Sequence, residues 1–421
     1  MYRSLIITLF AFCGISCNTQ NVDDTSYVRK NQNSKRIKLV NGNWFNGKTF
    51  EKKTVWIKEG LLNFKNAGKE DTIIDISDKY VIPPFADAHN HNLESRHELE
   101  KRINSYLDNG VFYVKLLSTI KKRIAPVLQY YNEPSKIDVR MAHAPLTGTD
   151  GHPIAVRKRY LDYGYYRGMF NSLEELEFHG YVKIDSEKDL EQKWDRVLAS
   201  SPDFIKINLL YSEEYEKRKD DTIYFGRKGL NPKFVSKIVK KAHKANLQVS
   251  AHVATAHDFH VAVEAGVDEI AHLPEISNGQ PINKKDAALA NKKGITVVTT
   301  VSLVKKRQKR PNYQDLVNNI ASNLKLLQYE GVTLAIGSDQ YNGNSVGEFE
   351  FLYGLGVFSN LELLNMWTKN ATKATFPRRK IGELKEGYEA SFLVLDKNPL
   401  KDMSHINKSI IIRIKQGVIL Q

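Results

Sequence analysis

The amino-acid sequence predicts an α/β fold, namely a (β/α)8 TIM barrel accompanied by a small β-sandwich that is built from both chain ends. Three observations lead to this prediction. Short apolar runs alternate with helical segments through the middle of the 421-residue chain, polar histidine, lysine and aspartate residues follow several of these runs, and both flanks are rich in short strands. Alternation of strands and helices produces a mostly parallel sheet with right-handed crossovers.

Eight apolar runs are the predicted barrel strands. The first ends at His91, and the others span residues 111–117, 139–144, 204–209, 248–252, 268–272, 295–301 and 332–337. The spacers carry helical periodicity, clearest in residues 232–246, where one face holds Phe234, Val235, Ile238, Val239 and Ala242. Because the stretch between residues 144 and 204 exceeds a typical crossover, we expect an inserted active-site loop there as well as a helix.

The flanks of the barrel, residues 37–82 and 392–420, consist of short strand-like runs. Turn signals at Asn41-Gly42-Asn43 and Asn46-Gly47 separate the runs of the first flank. Because both segments flank the barrel boundaries, we expect residues 36–84 and 376–421 to form one composite β-sandwich and residues 85–375 to form the barrel. Two unrelated β appendages are the alternative for the flanks.

A candidate metal site is made of polar residues at or just past the ends of predicted strands. These residues are His89, His91, Lys206, His252, His272 and Asp339. Positions i and i+2 of an extended segment point the same way, so His89 and His91 can bind one ion together. Neutral imidazole and carboxylate oxygen are ligands that a zinc-like ion prefers. Such ligands converge when parallel strands close into a barrel, whose chemistry lies at the C-terminal strand ends.

Lys206 is the unusual member of this set. An ammonium group inside a parallel barrel is costly unless it is paired or chemically modified. The alternative is a lysine whose amine extends to water at the barrel mouth.

Several motifs occur in an order that is typical of one family. They are the Pro-Phe-Ala-Asp-Ala-His-Asn-His segment at 84–91, Asp-Phe-Ile-Lys-Ile at 203–207, Ala-His-Val at 251–253, Ala-Gly-Val-Asp-Glu-Ile-Ala-His at 265–272, and a tail from Asn370 to Leu400. Together they resemble the metal-dependent amidohydrolase superfamily, in its imidazolonepropionase/prolidase-like branch, from about residue 40 to residue 417. Pro84 stands where that family usually has glycine, and Ser391 replaces a usual aspartate, but neither is a ligand.

The resemblance implies two divalent metal ions of the zinc type, bridged by a carboxylated Lys206. A hydroxide between the metals would attack an amide-type C–N bond in a peptide, a cyclic amide or an N-acyl amino acid. Asp339 would ligate one metal and carry the proton to the leaving nitrogen. His152 lies in a Gly-His loop that resembles a substrate-contacting element, so it would polarise the carbonyl or bind a carboxylate; stabilising the turn is the alternative.

Two other functions are weighed against hydrolysis. Deaminases of the superfamily often place a glutamate three residues after the fifth-strand histidine, whereas Thr255 occupies that position here. The third possibility is a non-catalytic envelope lipoprotein that keeps the barrel for binding. Loss of activity is usually accompanied by loss of metal ligands, and every expected ligand is present here.

The first residues predict export. A basic start, an apolar core and small residues before Cys17 resemble a bacterial lipoprotein signal over residues 1–17, with residues 18–35 as a polar tether. We expect a lipidated Cys17 that anchors the protein to the cell envelope, facing the periplasm or the cell surface. Cys13 would be removed with the signal, which leaves no disulfide.

The formal net charge of +14 does not by itself indicate nucleic-acid binding, because no nucleic-acid-binding motif accompanies it. The expected partner is a small-molecule substrate, and a homo-oligomer is compatible with the sequence. Basic runs at 157–159, 227–228 and 305–307 in the predicted mouth loops favour an anionic substrate. Ordinary solvated surface charge is the alternative for these runs.

Overall fold

The computed structural model describes residues 27–66, 68–274 and 281–420, which form a mixed α/β fold. The predicted signal segment and Cys17 lie outside these residues. Within these three ranges, no helix is long and apolar enough to cross a membrane.

The two chain ends contribute strands to one eight-stranded sheet. These strands are β1 (Ile37–Phe45), β2 (Phe50–Lys58), β3 (Leu61–Asn63), β4 (Thr72–Asp75), β5 (Tyr80–Ile82), and, from the other end of the chain, β16 (Phe392–Leu395), β17 (Ile410–Lys415) and β18 (Val418–Leu420). Their order is β18-β17-β16-β5-β1-β2-β3, with β4 beside β1. The two ends meet where β16 pairs with β5, and the Trp44 and Phe392 rings pack 5.1 Å apart. The pairing of the described strands gives one sheet and does not divide it into the two layers of a sandwich.

Ten parallel strands lie between these flanks. They are β6 (Phe85–Asn90), β7 (Val111–Leu116), β8 (Asp138–Met141), β9 (Leu146–Thr147), β10 (Val182–Lys183), β11 (Ile205–Asn208), β12 (Val249–His252), β13 (Glu269–Ile270), β14 (Thr296–Val298) and β15 (Thr333–Ala335). All eight predicted barrel strands are present, and β9 and β10 are additional short strands from the long insertion. The described strands form two sheets, β6-β7-β8 and β10-β9-β11-β12-β13-β14-β15, and no single closed barrel is assigned among them.

The edges of these two parallel sheets are linked by backbone hydrogen bonds. The amide of Ala88 donates to the carbonyl of Ile336 at 3.1 Å, which joins β6 to the segment after β15. At the other edge, the amide of Asp203 donates to the carbonyl of Met141 at 3.0 Å. The C-terminal ends of the parallel strands therefore face a common region.

Helices connect and cover the parallel strands. They are α1 (Leu99–Asp108), α2 (Lys121–Ile124), α3 (Ile154–Asp162), α4 (Glu187–Ala199), α5 (Tyr215–Arg218), α6 (Val235–Lys244), α7 (Ala256–Ala265), α8 (Lys284–Lys292), α9 (Tyr313–Tyr329), α10 (Val346–Leu355), α11 (Asn360–Asn365) and α12 (Ala371–Thr375). The face predicted for residues 232–246 is confirmed, because the buried residues of α6 are Val235, Ile238, Val239 and Ala242. The insertion between residues 144 and 204 holds two helices, α3 and α4, where we predicted one.

A buried ionic cluster joins the parallel strands to the chain ends. Asp138 on β8 accepts from Arg379 at 2.5 Å and from Lys415 on β17 at 2.9 Å, and all three side chains are fully buried. Arg29 lies 3.5 Å from the same carboxylate, and Arg379 also pairs with Glu389 at 2.5 Å. Burial alone would raise the pKa of Asp138, but Lys415 and Arg379 outweigh it and hold that pKa below its ordinary value.

Candidate metal centre

The first two predicted ligands lie together at the C-terminal end of β6. The Nε2 atoms of His89 and His91 are 3.2 Å apart, as the i, i+2 spacing predicts for an extended segment. Oδ1 of Asp339 lies 3.3 Å from Nε2 of His89 and 3.1 Å from Nε2 of His91. His272 follows β13, and its Nδ1 is 3.6 Å from Oδ2 of Asp339. Three strand ends thus bring three imidazoles to one carboxylate.

His252, at the end of β12, completes the ring of imidazoles. Its ring centroid lies 4.5 Å from that of His272, which in turn lies 4.4 Å from that of His89. His89, His272 and Asp339 also offer ligand atoms that all lie within 4.8 Å of one another. These residues line a cavity of about 150 Å³.

Lys206 projects from β11 into the same cavity, where it is only 5% exposed. Its Nζ has no hydrogen-bond partner among the described residues. Burial lowers the pKa of Lys206 to about 7, against an ordinary value of 10.5. The alternative in which the amine reaches water at the barrel mouth is therefore not what the structure shows.

The buried histidines of the cluster are held in the uncharged form. Burial, reinforced by neighbouring cationic groups, lowers the pKa of His89, His252 and His272 well below 6.5. The carbonyl of Ala271 lies 2.8 Å from Nδ1 of His89, so Nδ1 carries the hydrogen and Nε2 presents a lone pair to the cluster. Uncharged imidazoles with their lone pairs turned inward are ready to bind a cation.

Asp339 is ionised and held in an uncommon backbone conformation. Burial would raise its pKa, but the hydrogen bond from His91 and the electrostatic interactions with the surrounding imidazoles outweigh this and hold the pKa below its ordinary value. Its φ of 48° lies in the left-handed region, which few residues other than glycine adopt. Its amide donates to the carbonyl of His89 at 2.7 Å, which fixes the carboxylate beside the β6 histidines.

Asp87 supports this arrangement and was not predicted from the sequence. It is fully buried, and burial raises its pKa to about 7. Its carboxylate accepts from the amide of Ser338 at 2.9 Å and from the Ser338 hydroxyl at 2.7 Å. The available signal was its position two residues before His89, which puts an acidic side chain on the same face of the strand.

His152 lies at the edge of the cluster, as predicted for a substrate-contacting residue. Its ring stacks on that of His252 with centroids 4.7 Å apart, and burial lowers its pKa to about 4. The ring lines the cavity, where a bound molecule could contact it. His143 instead hydrogen-bonds Thr119 Oγ1 at 2.9 Å and does not line the cavity.

We call the six candidate ligands the metal cluster, namely His89, His91, Lys206, His252, His272 and Asp339. A second, larger cavity of about 390 Å³ adjoins this cluster. We call it the apolar lobe, because aliphatic side chains form much of its wall, namely Leu210, Val253, Leu273, Val304, Leu316 and Ile320. The basic residues Arg227, Lys306 and Arg307 also border it. It shares His152, His252, His272 and Asp339 with the smaller cavity, so the cluster lies between the two spaces. Tyr211, which follows β11, also lines this lobe, whereas Tyr224 and Phe225 further along the chain are not among its lining residues.

The predicted basic runs are divided by the fold. Lys158, Arg159, Arg227, Lys305 and Lys306 are exposed, as expected for mouth residues. Two members are buried instead. Lys228 donates to the carbonyl of Lys219 at 2.8 Å, and Arg157, on α3, faces the smaller cavity. A charge run in the sequence therefore mixes solvated and buried cations here.

With this geometry in place, the chain can be compared with known proteins. It belongs to the amidohydrolase family, whose profile matches residues 80–420. Similar proteins include ochratoxinase of Aspergillus niger, 29% identical over 197 residues, which is 44% of this chain and 39% of that protein. The chain thus aligns in sequence with about two fifths of that relative.

Solved structures of similar fold cover nearly the whole chain. The crystal structure of A. niger ochratoxinase gives a TM-score of 0.73 at 19% identity, covering 92% of this chain and 95% of the other. A prolidase complexed with N-methylphosphonate-L-proline gives 0.70 at 19% identity, covering 92% and 99%. At these identities the likeness concerns the fold.

Proposed function

We propose that this protein is a metal-dependent hydrolase that cleaves an amide-type C–N bond in a peptide, a cyclic amide or an N-acyl amino acid. The observation that carries the proposal is the amine of Lys206, which is buried without a hydrogen-bond partner beside four imidazoles and an ionised carboxylate. Membership of the amidohydrolase family supports it.

The donor set fits two divalent ions of the zinc type. His89, His91, His252 and His272 would supply neutral nitrogen, and Asp339 would supply carboxylate oxygen. The resemblance to the family implies one more anionic ligand, and Lys206 is the residue that would supply it.

Carboxylation of Lys206 supplies that anion. The uncharged Nζ attacks carbon dioxide, an N–C bond forms, one proton leaves, and the product is a carbamate with one negative charge. The low pKa of this amine favours the reaction, because only the uncharged amine has the free electron pair. The product also removes the unsatisfied buried amine, since its two oxygens would face cations.

When bound, two such ions supply a hydroxide nucleophile at neutral pH and polarise the scissile carbonyl. Asp339, through its carboxylate, would accept the proton of the nucleophile and deliver it to the leaving nitrogen. His152, whose ring stacks on that of His252, stays uncharged and would donate a hydrogen bond to the substrate carbonyl. Asp87 and Ser338 would keep Asp339 in place during this transfer.

The competing functions have less support. A deaminase of this superfamily would use a carboxylate three residues after His252, but Thr255 is there, and its side chain caps the N-terminus of α7 by accepting from the amide of Asp258 at 3.1 Å. A binding protein without activity would not need five metal-type donors and an unpartnered lysine around one cavity.

We also propose the finer architecture and location that the sequence predicts. The hydrogen bonds between the two parallel sheets support a closed (β/α)8 barrel over residues 85–375. The pairing of β16 with β5 supports one β domain built from residues 36–84 and 376–421, for which the sequence predicts a sandwich. Export and anchoring through a lipidated Cys17 rest on the sequence alone. Cys17→Ala should release the protein from membranes with unchanged activity, and a wild-type protein that carries no lipid would refute the anchor.

Metal content measured together with activity tests the proposed function. Lys206→Ala should lower the metal from about two ions to about one or fewer and abolish amide hydrolysis, because the bridging oxygens are lost. Short carboxylates should restore part of the activity by occupying the same place. Lys115→Ala is not a suitable control, since Lys115 is buried in an ion pair; Lys158→Ala, an exposed lysine, should leave both measurements unchanged. Full activity and unchanged metal in Lys206→Ala would refute the two-metal proposal.

A further inference from the structure

Arg157 is a buried cation beside the metal cluster that takes no part in the proposed chemistry. It lies on α3, is 4% exposed, and lines the same cavity as His89, His272 and Asp339. Nε donates to the carbonyl of Gly180 at 3.1 Å, one terminal nitrogen donates to the Tyr166 hydroxyl at 3.1 Å, and the other donates to Ser118 Oγ. These three contacts fix the plane of the guanidinium group.

The guanidinium is only partly satisfied by the protein. A guanidinium carries five N–H groups, and the described residues accept from three of them. No described carboxylate forms an ion pair with Arg157. Glu94 lines the same cavity and favours the charge of Arg157 from a distance, but its carboxylate is beyond ion-pair distance of Arg157 and lies 3.6 Å from Arg123. Burying a cation without a counter-ion is costly, so an anion is the missing partner.

The space around Arg157 differs in character from the other side of the metal cluster. We call it the arginine lobe, and its walls include Arg157, Ser118, Glu94, Val156 and Tyr341. The apolar lobe has the larger volume, about 390 Å³ against about 150 Å³, and its walls are mainly aliphatic. The basic side chains that also border it, Arg227, Lys306 and Arg307, are exposed or half-buried, whereas Arg157 is buried. A molecule that occupies both spaces therefore meets a buried cation in the smaller one and a mainly aliphatic wall in the larger one.

We propose that Arg157 binds a carboxylate on the substrate, so that the preferred substrate is an amide with a small carboxylate-bearing half and a bulky apolar half. This inference rests on the proposed function for the position of the scissile bond between the two lobes. The planar guanidinium binds a carboxylate through two parallel N–H···O contacts, which is how its two remaining donors would be used. The apolar half contributes affinity by leaving water for the aliphatic lobe.

Binding to the metal-free protein tests Arg157 separately from catalysis, because a carboxylate could otherwise bind a metal ion directly. The probes are N-benzoylglycine and N-phenylsuccinamate, which carry the carboxylate on opposite sides of the amide, each compared with its uncharged carboxamide. For at least one pair, the wild-type protein should bind the acid roughly tenfold to hundredfold more tightly than the carboxamide, as expected for a charged hydrogen-bond pair.

Variants then assign the preference to Arg157. Arg157→Met should reduce the acid-to-carboxamide ratio to about one while leaving the affinity for the carboxamide unchanged, which also verifies that the pocket is folded. Arg157→Lys should retain part of the ratio, since it keeps the charge and loses the planar fork. Arg167→Met, which changes an exposed arginine outside the predicted basic runs, is the matched control and should behave as the wild type.

The outcomes separate this inference from the proposed function. Equal binding of acid and carboxamide by the wild-type protein would overturn the role of Arg157 without any variant being needed, as would a ratio that survives in Arg157→Met. If the metal-loaded protein hydrolyses no amide while the metal-free protein keeps an Arg157-dependent ratio, the proposed function fails and the anion site stands. If uncharged amides are hydrolysed as efficiently as acids, hydrolysis stands and the anion site fails.

Discussion

Replacing Lys206 by methionine should stabilise the metal-free protein, although it should destroy the metal centre. In the absence of metal and carbon dioxide, Lys206 is a buried amine with no hydrogen-bond partner among the described residues. Methionine has a similar length and removes the polar group. The residue that the proposed chemistry needs most is therefore expected to destabilise the fold before metal binds.

The magnitude follows from the pKa of Lys206. The difference between its ordinary pKa of 10.5 and about 7 in the folded protein corresponds to roughly 5 kcal/mol, at about 1.36 kcal/mol for each pKa unit. Because the folded pKa is the lower one, the unfolded chain holds more protons between pH 7 and pH 10.5, and stability rises with pH across that window. The destabilisation is therefore complete at pH 7 and below, and it disappears towards pH 10.5.

Urea denaturation of the metal-free proteins in buffer free of carbon dioxide measures this effect. At pH 7, Lys206→Met should be more stable than the wild type by up to roughly 5 kcal/mol, and the gap should narrow by pH 9.5. Lys115 gives a contrast, because its amine pairs with buried Glu269 at 2.8 Å. Lys115→Met would leave Glu269 unpaired and should destabilise the protein by about 3–5 kcal/mol.

The reasoning is refuted if Lys206→Met is no more stable than the wild type at pH 7, or if the difference between them does not change with pH. Either result would mean that the amine of Lys206 has a partner or reaches water in the metal-free protein.

Three further predictions concern catalysis, acid stability and charge. Asp339→Asn should keep its metal, because an amide oxygen remains, while kcat falls about a hundredfold or more; elemental analysis with kinetics checks this, and an unchanged kcat contradicts it. Burial lowers the pKa of His143 to about 4, so the unfolded chain binds a proton that the folded protein excludes below about pH 6.5, and stability falls as the pH drops from 6.5 to 4. His143→Gln should reduce this loss in the free energy of unfolding by up to roughly 3 kcal/mol at pH 4, as measured by denaturation. An unchanged dependence of the unfolding free energy on pH would exclude His143 as its source. If exposed Arg227, Lys305 and Lys306 steer an anionic substrate, kcat/KM should fall with ionic strength and the triple glutamine variant should lose that dependence; salt-insensitive wild-type kinetics would remove the steering idea.

The convergence of the candidate metal ligands could be predicted from the sequence because it is local or follows from strand direction. The approach of His89 to His91 needs only the two-residue period of a strand, and the measured 3.2 Å between their Nε2 atoms agrees. The approach of His272 and Asp339 needs only that parallel strands end at the same side. The family motifs added the interpretation of Lys206, which composition and periodicity leave open.

The parts that were missed depend on which way a side chain faces within a helix or a loop. Arg157, Lys158 and Arg159 form one basic run in the sequence, yet α3 turns only Arg157 towards the cavity. The spacing of Asp87 places it on the same strand face as His89, but its hydrogen-bond partner Ser338 is 251 residues away, so the local pattern does not reveal what Asp87 binds. The extra strands β9 and β10 contain two residues each, which is too short for an alternation signal.

The ionic cluster around Asp138 limits how this molecule can be divided. The cations within 4 Å of Asp138 are Arg29, Arg379 and Lys415, and all three lie outside residues 85–375. A shortened protein that contains only those residues would bury a carboxylate with none of these neighbours, so it should fail to fold although it has every metal ligand. Residues 85–375 and the chain ends are therefore expected to fold as one cooperative unit. Substitutions in the cavity loops of this enzyme should be tolerated better than truncations at its domain boundaries.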